Sequence, residues 1–361
     1  MEGATSSLKR KDERLLLLIK SRLSPFSGES FFITNYKTML KTSEAVTPMH
    51  PDKICDCISD AILDACLKQD KNSRVAIETM GGHNLITVTG ELTTKAEINI
   101  PDIVREVVGN NYGIQTNIVK QSPEISRGVD VGGAGDQGIM VGYACSDNET
   151  LIPQESYLAK SLARYIFELH PNDGKVQITI EENLLNTVVA SFCGVSKDEL
   201  VKLVDLWLEI NNLNKPNNIY LNPAGDWSQG GFSADTGVTG RKLACDNYGP
   251  QIPIGGGAFS GKDATKVDRS GAYMARKIAV DLLHKNKAKE VLVKLAYSIG
   301  VAEPVMATAE ITDSNNQKEE IEIQGYDLTP RGIIDFLELD KPQYCEVAKW
   351  GSFGQGFKWD K

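Results

Sequence analysis

The densest chemical signal in the sequence is the stretch "GGAFSGKD", residues 256–263. Gly256, Gly261 and Lys262 have the spacing of a phosphate-binding P-loop, but Asp263 stands where that motif places the hydroxyl that ligates Mg²⁺. A standard P-loop is therefore not expected. The glycines and the lysine could still bind phosphate through backbone amides and one positive charge.

Cations and carboxylates alternate around this loop, in a chain whose formal net charge is −9. Asp246, Asp263 and Asp268 lie among five cations: Arg241, Lys242, Lys262, Lys266 and Arg269. These cations supply a local positive field, and a basic surface loop without a ligand is the alternative interpretation. Cations, flexible glycines and carboxylates able to hold Mg²⁺ together suit an in-line displacement whose leaving group is a polyphosphate.

A second glycine pattern, Gly133-x-Gly135-x-x-Gly138, has the spacing of a dinucleotide-binding fingerprint. That fingerprint needs a strand before it and a helix that begins at its last glycine. The residues that follow, 139–144, are apolar and interrupted by a glycine, which predicts a buried strand instead. We therefore reject a nicotinamide site and expect the glycines to permit a close backbone approach.

The first element that must position these groups is a helix beginning at Pro51. Apolar residues recur on one of its faces, and aspartates at four-residue spacing mark another: Asp52, Asp56, Asp60 and Asp64. His50 and Asp52 should lie at the N-terminal end of this helix. Asp52 is a candidate ligand, whereas the other three aspartates are interpreted as a solvated face.

A β-hairpin is predicted next, from strand-like runs at 74–80 and 84–94 that flank Gly81-Gly82-His83. Glu78 and Glu91 fall on its two strands. A carboxylate within an apolar run is costly unless it is paired, bound to a metal or at the sheet edge. Edge exposure is the simplest of these explanations.

Helices and strand pairs alternate through the rest of the chain. Helices are predicted at 155–169, at 197–210 after the capping box of Ser196 and Glu199, near 270–286, and from Pro330. The fold class is therefore α/β, built from repeated α+β units, although no fixed sequence period is present.

Composition limits the function further. A net charge of −9 without a long basic run argues against nucleic acid as the main partner, and seven cysteines without a CxxC pair predict reduced thiols and a cytoplasmic location. The apolar run 15–19 is far too short to span a membrane, and no small-residue cleavage site supports a targeting sequence, which is the alternative. Residues 1–38 are therefore interpreted as a disordered N-terminal extension. No pattern indicates covalent catalysis.

Six ordered motifs closely resemble those of the S-adenosylmethionine synthetase (methionine adenosyltransferase) family. They are "HPDKICDCISDAILDA", "QSPEISRGVD", "GGAGDQG", "TGVTGRK", "GGGAFSGKDATKVDRSGAY" and "SIGVAEP". The resemblance runs from about Thr42 to the C-terminus. It implies three similar domains related by pseudo-threefold symmetry, here 39–135, 136–240 and 241–361, with boundaries that interleave in sequence.

The resemblance also implies a reaction and its partners. The methionine sulfur attacks C5′ of ATP in line, and the triphosphate is then hydrolysed to pyrophosphate and phosphate. Such enzymes use two Mg²⁺ ions per site and K⁺, and work as a homodimer or a dimer of dimers with shared active sites. No nucleic acid or membrane is expected as a partner.

The family's functional residues can be matched one by one. Six side chains match catalytic positions: His50, Lys175, Arg241, Lys242, Lys262 and Lys266. Asp173 matches the ribose contact and Trp227 the aromatic that stacks on adenine; with His50, Lys175, Arg241, Lys242 and Lys262 they form the ATP site. Asp52 and Asp268 would hold magnesium, and Glu78 would belong to the potassium site.

Six residues match the methionine pocket: Glu91, Gln121, Asp136, Asp235, Lys266 and Ile299. Residues 121–130 correspond to the family's gating loop, whose composition suits mobility; this loop includes Gln121, Ser122, Pro123, Gly128 and Asp130.

Two positions depart from the family pattern: Met49 replaces a glycine before His50, and Asp226 replaces a basic residue before Trp227. Two alternatives to an active synthetase follow. One is a catalytically weakened member that binds ATP or product in a regulatory assembly. The other is a metal-dependent ATP phosphotransferase that uses residues 255–268 as its phosphate loop and releases ADP.

Overall fold

Three four-stranded sheets, each covered by a long helix, make up the part of the chain that the structure describes. This computed structural model describes residues 39–121 and 132–361. The predicted extension 1–38 and the gating-loop residues Ser122, Pro123, Gly128 and Asp130 lie outside this part.

The strands and helices follow one another in an order that matches the predicted alternation. The strands are β1 (Leu40–Val46), β2 (Arg74–Gly82), β3 (Leu85–Thr93), β4 (Gly113–Val119), β5 (Gly138–Cys145), β6 (Gly174–Glu181), β7 (Leu184–Phe192), β8 (Asn218–Leu221), β9 (Gly237–Val238), β10 (Glu290–Tyr297), β11 (Met306–Thr312) and β12 (Lys318–Glu322). The helices are α1 (Pro51–Leu67), α2 (Ile100–Val108), α3 (Gln154–Leu169), α4 (Lys197–Ile210), α5 (Leu243–Asp246), α6 (Val267–Asn286), α7 (Pro330–Leu337) and α8 (Tyr344–Trp350).

The three sheets share one strand order, which confirms the α/β class with three similar domains; the outer strands β4 and β8 are parallel to their neighbours, whereas β12 is antiparallel to β11. Their strand orders are β9-β2-β3-β4, β1-β6-β7-β8 and β5-β10-β11-β12. In each sheet an antiparallel hairpin occupies the centre, and a strand from a distant part of the sequence pairs with its first strand. The chain therefore interleaves the three units, because β1, β5 and β9 complete sheets whose other strands lie far away in sequence.

One long helix packs on each sheet. Helix α1 packs on β2, α3 on β1 and β6, and α6 on β5 and β10. The apolar faces of these helices are buried, as in Ile58 and Ile62 of α1. Burial of such side chains contributes roughly 1.5–3 kcal/mol each relative to exposure. These interfaces hold the helix ends at fixed places along the sheets.

Helix α1 begins where the sequence predicts. Pro51 occupies the first turn, and His50 is the N-cap, whose Nδ1 accepts a hydrogen bond from the Asp52 amide at 3.1 Å. The interpretation of the remaining aspartates as a solvated face is wrong: Asp56, Asp60 and Asp64 are only 1%, 0% and 8% exposed. Loops and helix α8 cover this face, which helical periodicity cannot reveal because their contacts are distant in sequence.

The other local predictions are largely confirmed. The β2–β3 hairpin, α3 and α4 form as expected, and the Ser196 hydroxyl accepts a hydrogen bond from the Glu199 amide. Gly138 begins a strand rather than a helix, which agrees with the rejection of a nicotinamide site. Glu91 lies on β3, between β2 and β4, so edge exposure does not explain this carboxylate.

Two properties of the whole chain complete the description. Within residues 39–121 and 132–361 no helix is long and apolar enough to cross a membrane. The seven cysteines, all of them in this part of the chain, are free thiols.

Candidate active site

A first cluster of charged groups, here called cluster 1, forms at the N-terminus of α1. It comprises His50, Asp52, Arg241 and Lys242. The fully buried carboxylate of Asp52 accepts hydrogen bonds from Lys242 Nζ at 2.5 Å and from the Val238 amide at 2.9 Å, and it forms an ion pair with Arg241 Nε at 2.9 Å. Burial alone would raise the pKa of Asp52, but these hydrogen bonds and charges hold it below its usual value. Asp52 is therefore ionised and surrounded by cations.

His50 is neutral near neutral pH. Burial, with the nearby charge of Lys242, lowers the pKa of His50 to about 4. Because Nδ1 accepts from the Asp52 amide, the ring proton must lie on Nε2. His50 can therefore offer one N–H donor to an anionic ligand without adding charge.

The central sheet contributes to the surroundings of cluster 1. Lys175, the second residue of β6, lies opposite Val46, and its Nζ lies 2.6 Å from Glu44 Oε2. Glu44 also accepts from the thiol of Cys245 in α5, three residues after Lys242. The charge of Lys175 acts on His50. Lys175 is thereby brought close to cluster 1 from another domain.

The residues expected to contact the nucleoside lie beside Lys175. Asp173 accepts a hydrogen bond from the Gly231 amide at 2.9 Å, and burial raises its pKa. Trp227 is half-buried, and its carbonyl accepts from the Gly194 amide. Asp226 accepts from the Lys197 amide at the start of α4 and from Asn222, so its carboxylate caps a helix.

A second cluster, here called cluster 2, lies at the N-terminus of α6 and comprises Glu78, Lys262, Lys266 and Asp268. Lys262 Nζ lies 2.7 Å from Asp268 Oδ2. Lys266 Nζ pairs with Asp263, which also accepts from the Val75 amide. Glu78 is exposed on β2; partial burial raises its pKa, and the charge of Lys262 opposes this shift.

The amides at the end of the P-loop-like segment are not free to cradle a phosphate. The Gly261 amide donates to Asp60 Oδ1 at 2.8 Å, the Lys262 amide to Phe259 O and the Asp263 amide to Val75 O. These three amides are therefore not available to a phosphate, and phosphate binding by the rest of the loop stays a prediction. Lys262 can still act through its side-chain charge.

The glycines also have neighbours that the sequence did not reveal. A Cβ on Gly133 would lie 2.4 Å from the backbone of Gly300, so the close approach expected at "GGAGDQG" is to the loop after β10. A Cβ on Gly257 would lie 2.3 Å from Asp268 Oδ1. This glycine therefore leaves space for the carboxylate of cluster 2.

Both clusters lie along one edge of β2. Met80 pairs with Val238, just before Arg241 and Lys242, whereas Ala76 pairs with Lys262. The two pairings are four residues apart, which corresponds to about 13 Å along a strand. In one chain the two clusters are thus neighbouring but separate.

Three family models match consecutive parts of the chain: the N-terminal domain of S-adenosylmethionine synthetase over 38–123, the central domain over 131–226 and the C-terminal domain over 229–361. The chain belongs to the S-adenosylmethionine synthetase family. It is a methionine adenosyltransferase, a transferase of S-adenosylmethionine biosynthesis, and this family implies ATP and methionine as substrates.

Curated and solved relatives agree with this assignment. S-adenosylmethionine synthase from Desulforudis audaxviator (strain MP104C) is 39% identical over 88% of this chain and 93% of its own length. That from Desulfosudis oleivorans is 38% identical, with 90% and 96% covered. The solved structure of an unusual S-adenosylmethionine synthetase from Campylobacter jejuni is 32% identical, with a TM-score of 0.80, and covers 89% of this chain and 96% of that one.

The residues matched to the synthetase methionine pocket are more dispersed than the clusters. Glu91 lies half-buried on β3, and Asp136, Asp235 and Ile299 are exposed on loops. Gln121 is buried, and its Oε1 has no hydrogen-bond partner among the described residues. Asp235 is close enough for its charge to act on His50.

The donors of the synthetase site suit the expected ions, although no three His, Cys, Asp or Glu side chains converge as a ready metal site in the described part of the chain. Carboxylate oxygens are the ligands that Mg²⁺ prefers. Asp52 and Asp268 each hold a lysine ammonium at 2.5 and 2.7 Å. Each carboxylate thus attracts a cation, but the two lie in different clusters.

Sequence reasoning missed the buried groups behind the synthetase site. Lys53, Asp56 and Asp60 contact the segments that carry the cations. Glu44, which binds Lys175, was also missed. The aspartates recur every fourth residue, and this spacing was the available signal. It was assigned to solvent because nothing local distinguishes a buried polar face from an exposed one.

Proposed function

We propose that this synthetase transfers the adenosyl group of ATP to methionine by in-line attack of the sulfur on C5′, followed by hydrolysis of the triphosphate. The observation that carries the proposal is cluster 1, where a neutral His50 donor lies beside two cations and an ionised carboxylate. A thioether sulfur is already a neutral nucleophile, so this step needs alignment and stabilisation of the leaving group rather than a base.

In this proposal the cations act on the departing triphosphate. Arg241, Lys242 and Lys175 lie close to His50, and Lys262 and Lys266 carry the charge of cluster 2. Asp173 and Trp227 bind the ribose and adenine. Side-chain charges, aimed at the place where negative charge develops, lower the barrier more in a site sheltered from water.

Asp52 and Asp268 are the proposed magnesium ligands, and Glu78 contributes to a potassium site. Bound Mg²⁺ would neutralise triphosphate charge as a Lewis acid. Lys242 and Lys262 pair with these same carboxylates in the free chain. Both lysines are therefore placed to turn from a carboxylate toward a triphosphate when metal and nucleotide bind.

We further propose that the working enzyme is a homodimer or a dimer of dimers in the cytoplasm. One complete site would combine cluster 1 of one subunit with cluster 2 of its partner. Two features support this proposal: the magnesium candidates lie in separate clusters, and several strands expose large apolar side chains suited to an interface, among them Met80, Ile139, Tyr220 and Met306.

Both alternative functions are weakened. A phosphotransferase with a P-loop would need the amides of 261–263, which other groups occupy. The regulatory alternative relied on Met49 and Asp226, and Asp226 has a structural role as the cap of α4.

The test is to incubate the protein with ATP, methionine, Mg²⁺ and K⁺ and to quantify the products by chromatography and phosphate assays. We expect S-adenosylmethionine with equimolar phosphate and pyrophosphate. Lys242→Ala should lower kcat/KM by about 100-fold or more, since removing one preorganised charge-stabilising donor costs roughly this much.

Lys202→Ala is the matched control, because Lys202 is an exposed lysine of α4 that pairs only weakly with Glu199 at 3.4 Å. It should leave kcat/KM unchanged. Release of ADP, or ATP binding without a sulfonium product, would overturn the proposed reaction.

A further inference from the structure

The segment that carries Arg241 and Lys242 is held at both ends by one buried ion pair of α1. At its start, the Gly240 amide donates to Asp56 Oδ1 at 2.8 Å. At its end, the Asp246 carboxylate lies 2.5 Å from Lys53 Nζ. Lys53 Nζ and Asp56 Oδ2 are themselves 3.1 Å apart, which closes the arrangement.

Stability alone is a poor explanation of this pair. The side chains of Lys53 and Asp56 are each only 2% exposed. A buried ion pair loses much of its Coulomb energy to desolvation, and apolar side chains of similar volume are often as stable. The presence of this buried pair is better explained by the segment that it holds in place.

The held segment contains little structure of its own. Helix α5 has only four residues, and Lys242 immediately precedes it. The direction of the Arg241 and Lys242 side chains therefore depends on where Gly240 and Asp246 are fixed. Both side chains converge on Asp52, one helical turn before Asp56 on the same face of α1.

We infer that Lys53 and Asp56 are positioning residues, which fix Arg241 and Lys242 in register with His50 and Asp52 for binding the triphosphate. This inference rests on the proposed function. Neither side chain touches a substrate in this account. They act through the backbone of the segment 240–246, and a misplacement of about 1 Å costs on the order of 100-fold in rate.

The same helix offers a matched control. Asp64 occupies the same face two turns after Asp56 and is also buried. It accepts hydrogen bonds from the amides of Gln343, Tyr344 and Cys345 at 2.9, 3.0 and 2.9 Å. Asp64 thus holds the start of α8, which carries none of the candidate cations.

The experiment measures the affinity for inorganic tripolyphosphate by calorimetry, together with steady-state kinetics, in wild type, Asp56→Ala, Asp56→Asn and Asp64→Ala. For Asp56→Ala we expect tripolyphosphate binding to weaken about 10- to 100-fold, with a raised KM for ATP and a lowered kcat. The KM for methionine should change less than the KM for ATP. Asp56→Asn, which retains an oxygen for the Gly240 amide, should recover part of the loss.

Asp64→Ala should lower the melting temperature while its tripolyphosphate affinity stays near that of wild type. A double variant, Lys53→Met with Asp56→Leu, guards against simple unfolding: it should remain folded because the two buried charges are removed together and the remaining carboxylate, Asp246, is 17% exposed to water, yet it should bind tripolyphosphate weakly. Wild-type affinity in a folded Asp56→Ala or in the double variant would overturn the inference. So would an equal loss in Asp64→Ala.

These failures differ from failure of the proposed function. If wild type itself binds no tripolyphosphate and forms no S-adenosylmethionine, the proposed function and this inference fall together. If wild type is active but Asp56→Ala or the double variant binds tripolyphosphate as tightly as wild type does, only the positioning role is wrong.

Discussion

At the scale of single residues, the candidate site depends on which groups are charged in the folded chain. Lys242 and the Val238 amide keep Asp52 ionised, whereas burial and the charge of the same lysine keep His50 neutral. Two residues of one helix terminus, separated only by Pro51, thus differ in charge state. In the proposed function this arrangement would offer cations and one neutral donor to a triphosphate, while the buried His50 ring itself carries no charge.

The neutral state of His50 predicts a pH dependence of stability. With a folded pKa of about 4 against an ordinary 6.5, the unfolded chain binds a proton between these values that the folded chain does not. Stability is therefore lost as the pH falls through this window. Between pH 7.5 and pH 5 the His50 contribution should decrease by about 2 kcal/mol.

Urea unfolding in EDTA, which keeps the protein free of magnesium, measures this effect. His50→Asn is the comparison, because Asn removes the titrating ring but preserves an N-cap acceptor for the Asp52 amide. The variant should lose less stability than wild type between the two pH values. Equal losses in both proteins would show that His50 does not titrate as described.

At the scale of elements, α1 has two buried faces with different partners. Its apolar face packs on the first sheet, and its aspartate face receives backbone amides from β9, from two loops and from the start of α8. Asp60 also forms a bidentate pair with Arg269 of α6, at 2.7 Å for both bonds. The Arg269 guanidinium stacks over the Tyr344 ring, which further joins α1, α6 and α8.

The Asp60–Arg269 pair predicts a large effect on stability. Asp60→Asn would leave the guanidinium of Arg269 buried without its counter-charge and should destabilise the fold by about 3–5 kcal/mol. The matched control is Asp335→Asn in α7, whose partner Arg331 is 70% exposed. This control should cost less than about 1 kcal/mol.

Urea unfolding at pH 7.5 measures the change in the free energy of unfolding for both variants. The prediction is refuted if Asp60→Asn costs no more than Asp335→Asn. A second substitution, Asp60→Glu, keeps the charge and should cost less than Asp60→Asn. This comparison separates loss of charge from loss of shape.

At the scale of the whole molecule, the three sheets share one strand order although no sequence period links them. Strands β1, β5 and β9 pair with distant hairpins, so the three units are interleaved. The predicted domain boundaries at 135 and 240 stay predictions. The interleaving brings Lys175 of the central sheet close to the N-terminus of α1, where it acts on His50.

The proposal of shared sites predicts complementation between two inactive variants. Lys242→Ala damages cluster 1 and Lys262→Ala damages cluster 2. If a site combines clusters from two subunits, a dimer of one of each has one intact site of two, and co-expression should restore roughly a quarter of wild-type activity for random pairing. The activity of the co-expressed mixture and that of tagged, co-purified mixed dimers are measured; the purified mixed dimers should show about half of wild-type activity, and each variant expressed alone is the control. Absence of recovery in verified mixed dimers would place both clusters of a site in one chain.

The sequence by itself determined the family, the residue types of both clusters and the local elements. Helix α1, its N-cap at His50, the β2–β3 hairpin and the capping box of α4 depend on neighbours within a few residues, so their patterns predict them. Six ordered motifs were specific enough to identify a synthetase.

Only the tertiary structure decided which groups these residues meet. The spacing of the aspartates on α1 is the same whether they face water or a distant loop. The sequence therefore predicted a solvated face, whereas Asp56, Asp60 and Asp64 are buried. The glycines of "GGAGDQG" predicted a close backbone approach without identifying its partner, which is Gly300 for Gly133. The glycines of "GGAFSGKD" were expected to bind phosphate, but the Gly261 amide binds Asp60. The reason is the same in each case: the partner lies more than 150 residues away, and long-range packing leaves no local periodicity.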